Sequence, residues 1–181
     1  MRLLTRRGML AAAGTLASAP LARKSSAAAG LPAADLTLLV PPVPAPNFVF
    51  ETSDGAERAL SEFRGRGMVV NFWATWCAPC VAEMPALAQL SRALAPHDIA
   101  VMPLSSDRGG AAVVRRFYEA RGLSGLPILL DPKGAAGRQF NLRGIPATIV
   151  IDKQGLWRAR LDGAADWSGP AIAAQIRRLV G

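Results

Sequence analysis

The sequence predicts an α/β fold, with a central mixed β-sheet, helices on both of its faces and a short N-terminal hairpin. Three observations predict it. From Met68 onward, apolar runs of strand length alternate with stretches whose apolar residues recur every three or four positions. The run Met68-Val69-Val70-Asn71-Phe72-Trp73 has the nearly unbroken apolar character of a strand covered on both faces. The last two strand-like stretches, Thr148 to Asp152 and Trp157 to Leu161, are joined by the turn Lys153-Gln154-Gly155, which sets them antiparallel.

The chain has 181 residues, room for one domain plus extras. Residues 1–29 read as an export signal: Thr5-Arg6-Arg7-Gly8-Met9-Leu10 follows a twin-arginine-like pattern, a weakly apolar run extends to Ala22, and Arg23-Lys24 closes it. Ala27-Ala28-Ala29 is the best cleavage site, and the apolar run is too short and alanine-rich for a comfortable membrane span. A disordered basic tail is the competing reading. Residues 30–46, with Pro41-Pro42-Val43-Pro44-Ala45-Pro46, read as an extended polyproline-like linker, and the domain is expected over 47–181.

Within that domain, Phe48 to Leu60 reads as the N-terminal hairpin around Ser53-Asp54-Gly55, and Ser61 to Gly65 as a helical turn. The central strand, Met68 to Trp73, runs into a helix from Val81 to Leu94, whose Met84, Leu87, Leu90 and Leu94 make one buried stripe around an internal Pro85. A strand at Ile99 to Leu104 and a helix bearing Val113, Val114, Phe117 and Tyr118 follow, with Gly122 as a left-handed cap. Leu126 to Leu130 reads as a strand and Ala135 to Phe140 as one or two helical turns. Trp157, Ala159 and Leu161 alternate with Arg158 and Arg160, as in a half-buried strand. Ser168 is expected to cap a last helix carrying Ile172, Ile176, Leu179 and Val180 on one face.

The formal charge is +8, from 21 basic and 13 acidic side chains. Five of the basic residues precede Asp35, the first acid, so the remainder is only mildly basic. No basic face is interleaved with aromatics, which argues against a nucleic-acid partner.

Chemistry points to Trp76-Cys77-Ala78-Pro79-Cys80. The only two cysteines of the chain stand three apart where the central strand meets a helix. A helix start offers free N–H groups and the positive end of the dipole, which stabilise a thiolate. The second thiol, one turn along, can close and open a Cys77–Cys80 disulfide with little backbone movement, so the pair reads as a redox-active dithiol. Buried structural cysteines, a two-sulfur metal site and a structural disulfide compete with that reading. Zinc needs about four ligands, and this chain adds one histidine, so no metal is expected. So short a loop constrains the unfolded chain little. Cys77, nearer the helix start and more exposed, should be the attacking thiolate, and Cys80 should resolve the mixed disulfide. Trp76 is expected to cover the site and Pro79 to fix its turn, although Trp76 could equally be core.

With these residues in hand, the chain resembles the thioredoxin superfamily, and more closely its TlpA and ResA type. The match rests on Phe63-Arg64-Gly65, Val70 to Cys80, Glu83-Met84-Pro85, Gly144-Ile145-Pro146-Ala147-Thr148 and, for the TlpA branch, Gly163-Ala164-Ala165-Asp166-Trp167. The resemblance implies a thioredoxin-like fold and a cis Pro146 packed against the cysteines, with the Ile145 backbone offered to a substrate's extended chain. An ordinary loop proline is the alternative. Thioredoxins carry a buried acid on the central strand, where this chain has Asn71. Glu83, one turn past Cys80, is left as the candidate proton handler, against the alternative of a solvated surface glutamate. His97, Arg115, Arg116 and Arg121 read as surface residues, and Trp157 and Trp167 as packing.

The resemblance further implies a protein-disulfide reductase of the periplasm, or outer face of a bacterial cytoplasmic membrane, with no cofactor. Its partners would be disulfide-containing exported proteins in cytochrome c or cytochrome oxidase copper-site assembly, and a membrane thiol electron donor. An oxidant or isomerase on the same scaffold, or a copper metallochaperone, are the alternatives. Peroxide reduction on this fold would need a threonine where Cys77 stands.

Overall fold

Strand β4 (Gly67–Trp73) is buried along its whole length, because both faces of the sheet are covered around it. Its side chains alternate between two cores. Val69 and Trp73 join one, and Met68, Val70 and Phe72 join the other. Asn71, on the same parity as Val69 and Trp73, therefore faces the first. The computed structural model describes residues 30–181, so the expected export signal lies outside the described residues.

The other strands are β1 (Thr37–Pro44), β2 (Val49–Thr52), β3 (Glu57–Ala59), β5 (Ile99–Ser105), β6 (Leu129–Leu130), β7 (Ala147–Ile151) and β8 (Leu156–Asp162). They form one sheet in the order β1-β8-β7-β4-β5-β6-β2-β3. Strands β4, β5 and β6 run parallel, while β7, β8 and β1 on one side, and β2 and β3 on the other, pair antiparallel. Helices α1 (Ala78–Leu94), α2 (Gly110–Ala120) and α4 (Pro170–Val180) bury their apolar stripes in the first core, and α3 (Ala135–Gln139) covers the second. This is the α/β architecture expected, with a mixed sheet between helices.

Three local expectations are corrected. The segment read as a polyproline linker contains β1, which pairs with β8 from Thr37↔Arg160 to Pro44↔Leu156 and shifts register between Leu38 and Val43. Proline lacks an N–H to give a sheet, and an edge strand is where that lack is tolerated. Just before it, Leu36 is buried, and the N–H of Asp166 donates to the Pro32 carbonyl at 2.8 Å. The stretch from Leu126 pairs only at Leu129–Leu130, where β5 and β2 flank it. Ser168 does not cap the last helix. Its N–H and hydroxyl both donate to Asp166 Oδ1, and α4 starts at Pro170 behind Gly169.

One glycine is required by packing. A Cβ on Gly67 would collide with Val180 Cγ1, because the end of α4 rests directly on the start of β4.

Candidate active site: a disulfide at a helix start

Strand β4 ends at Trp73, and four residues separate it from α1. Cys77 is the N-cap of that helix, and its sulfur accepts the N–H of Cys80 at 3.3 Å, satisfying one of the free donors of the first turn. The helix begins at Ala78, three residues earlier than the apolar pattern indicates, since Pro79 in the first turn forfeits no helical hydrogen bond. Cys77 and Cys80 are joined by a disulfide, with Cα atoms 5.3 Å apart. Cys80 is sealed, whereas Cys77 keeps 7% of its surface open, so an outside sulfur can reach only Cys77.

Two neighbours frame that opening. Trp76 is 70% exposed, which removes the alternative that it is core and leaves an apolar surface beside Cys77. From the other side, the Ile145 carbonyl oxygen lies 3.8 Å from Cys77 Sγ, and the Ile145–Pro146 bond that follows is cis.

The loop before Cys77 is held by a residue that sequence reasoning missed. Asp107, just past β5, accepts the N–H of Thr75 at 2.9 Å and its hydroxyl at 2.6 Å, and also the hydroxyl of Ser105 at 2.7 Å. Because Trp73 and Ser105 are register partners of parallel strands, the two strand ends lie side by side and the carboxylate bridges them.

One turn past Cys80 on α1 lies Glu83. It is fully buried, so the alternative of a solvated surface glutamate is overturned. Oε1 accepts Asn71 Nδ2 at 2.8 Å, while Oε2 accepts the N–H of Ala165 and the indole N–H of Trp167, each at 3.0 Å. Asn71 Nδ2 also donates to Thr148 Oγ1 at 3.0 Å. Burial pushes the Glu83 carboxyl above its ordinary value of 4.5, and the three donors only partly oppose this. The central-strand position and Glu83 thus meet as one unit. Trp167, expected as plain packing, is part of it, and so is Ala165. The Gly163-to-Trp167 match was the available signal.

His97, Arg115, Arg116 and Arg121 are exposed, as expected of surface residues. Tyr118 is buried against Trp73 at a ring separation of 5.9 Å, and burial pushes its phenol up. Among the described residues no three His, Cys, Asp or Glu side chains gather as a metal site.

A model of the AhpC/TSA family matches residues 42–160. The chain belongs to the AhpC/TSA family. Within this AhpC/TSA context it is 34% identical over 111 residues to the thiol-disulfide oxidoreductase ResA of Geobacillus kaustophilus, covering 61% of this chain and 63% of that protein. It is also 34% identical over 113 residues to the thioredoxin-like protein YneN of Bacillus subtilis, covering 62% and 65%. Less than two thirds of either relative is spanned. Among solved structures, a thioredoxin-family thiol:disulfide interchange protein from Chlorobium tepidum TLS superposes with a TM-score of 0.60 and 25% identity, over 81% of this chain and 99% of that one. The AhpC/TSA chain has the thioredoxin-like fold that its motifs implied.

Proposed function

We propose that this chain is an exported thiol:disulfide oxidoreductase that reduces disulfides of partner proteins. The observation that carries the reading is a Cys77–Cys80 disulfide at a helix start, with one sulfur reachable, the other sealed, and a buried acid one helical turn further on. In the reduced form the Cys77 thiolate attacks a client disulfide, forming a mixed disulfide and expelling one client thiolate, which takes a proton from solvent. Cys80 then gives its proton to Glu83, and the Cys80 thiolate attacks Cys77 Sγ. The second client thiolate leaves. Two electrons have passed to the client, and the Cys77–Cys80 bond has formed. Trp76 and the Ile145 backbone border the place where the client chain lies.

The direction of transfer and the setting extend this reading. Relatives bearing the ResA name are thiol-disulfide oxidoreductases, and the twin-arginine-like leader supports export to the periplasm or outer membrane face. There the clients would be exported proteins of cytochrome c or oxidase copper-site assembly, with a membrane thiol protein returning two electrons and two protons.

The Cys80→Ser variant tests the core of the reading. It is expected to accumulate a mixed disulfide through Cys77 when given a disulfide client. Trapping through another residue, or no trapping by folded protein, would overturn the assignment. A reduction potential near the oxidising end of related pairs, about −120 mV, would reverse the direction and favour the oxidant.

A further inference from the structure

Asn71 is fully buried, its Nδ2 donates to both Glu83 Oε1 and Thr148 Oγ1, and its Oδ1 has no hydrogen-bond partner among the described residues. A buried acceptor without a donor is costly and calls for an explanation. The arrangement suits Glu83 only as a carboxylate. When Glu83 takes a proton, that proton falls on Oε1, because Oε2 is held by Ala165 and Trp167. An O–H on Oε1 would then face the NH2 of Asn71, donor against donor.

We propose that Asn71 is a two-position switch whose side-chain amide turns over as Glu83 changes protonation state. This rests on the reading of Glu83 as the acceptor of the Cys80 proton. A half-turn about χ2, a broad and roughly two-fold torsion for asparagine, exchanges Oδ1 and Nδ2. Oδ1 then accepts from the Glu83 hydroxyl, and from Thr148 once its hydroxyl rotates to donate. Every bond through Asn71 reverses polarity, no atom leaves the core, and one amide atom stays unpartnered in either position. The carboxyl therefore finds a hydrogen-bonded home with or without its proton, which a catalyst that loads and unloads it each cycle requires. An aspartate in this place would add a second charge, and an apolar residue would serve neither state. The groups bonded to Glu83 are Asn71 from β4 and Ala165 and Trp167 from the segment after β8, with Thr148 from β7 joined through Asn71. Among the described residues, burial and these hydrogen bonds set its proton affinity.

The oxidised full chain isolates the event, since disulfide sulfurs do not titrate. The chain has three asparagines, Asn47, Asn71 and Asn141, so ¹⁵N-asparagine labelling gives three side-chain amide signals, and Asn71→Leu identifies one of them. Its NH2 signals are expected to shift in a single-proton transition whose midpoint coincides with that of the Glu83 carboxyl carbon. Nuclear Overhauser contacts from the NH2 to the Thr148 methyl group should be present at the alkaline limit and lost at the acid limit. In Glu83→Gln, whose amide mimics the protonated acid, the Asn71 signals should sit at the wild-type acid limit at every pH. If the Glu83 carbon titrates while Asn71 keeps its contacts, the switch is overturned and the proton role of Glu83 stands. If the Glu83 carbon shows no transition above 4.5, the reading of Glu83 itself fails.

Discussion

Glu83 holds a carboxyl group at zero exposure with three hydrogen-bond donors and, among the described residues, no counter-charge. Its folded pKa lies above the unfolded value, so between the two the folded chain binds more protons than the unfolded one. Stability due to this group is therefore greatest below about 4.5, falls as pH rises through the window, and levels off above the folded pKa. The slope can reach about 1.4 kcal/mol per pH unit. Glu83→Gln should remove it, as denaturant titrations from acid to mildly alkaline pH would show, and should also shift the pH dependence of Cys77 alkylation in the reduced form. An unchanged alkylation profile would take Glu83 out of the mechanism. The spacing from Cys80 singled out Glu83, because one helical turn is a short-range relation. Its partner Trp167 lies 84 residues away. No periodicity reports such a contact, so it was legible only as a motif resemblance.

At the scale of elements, the site is the junction of β4 and α1, tied to the end of β5 by Asp107. Asp107→Ala leaves the Thr75 N–H and two hydroxyls without their buried acceptor. The expected cost is about 1–3 kcal/mol, read as a lower denaturation midpoint, together with slower reaction of Cys77 as Thr75 loosens. Gly67→Ala tests the other end of β4. The added Cβ meets Val180, and overpacking of this kind costs about 1–3 kcal/mol. The central strand and the helix stripes were legible in the sequence because burial imposes periods of two and of 3.6 on apolar residues. Strand β1 was not. Its prolines carry the composition of a free linker, and only its pairing with β8 reveals an edge strand.

For the molecule as a whole, that strand moves the start of the folded unit toward the amino end. A chain beginning at residue 30 should match the full chain in stability. One beginning at 47 loses β1, the burial of Leu36 and the Pro32–Asp166 hydrogen bond. The lost leucine alone is worth about 2 kcal/mol, and the bared edge of β8 invites association. Comparing the two truncations by thermal melting and by size-exclusion chromatography checks both effects. Export belongs to this scale too. Residues 1–29 fused to a folded reporter should carry it across the membrane, and replacing Arg6 and Arg7 by lysine should stop it.

Cys77 and Cys80 are the whole thiol complement of the chain. Its sulfur framework therefore holds no second bridge that thiol exchange at this one could scramble. Fully reducing conditions cut a single staple on the outermost turn of one helix and leave the eight-stranded scaffold covalently untouched. Counting blocked sulfhydryls by mass, none or two, therefore reads the fraction of charged molecules directly.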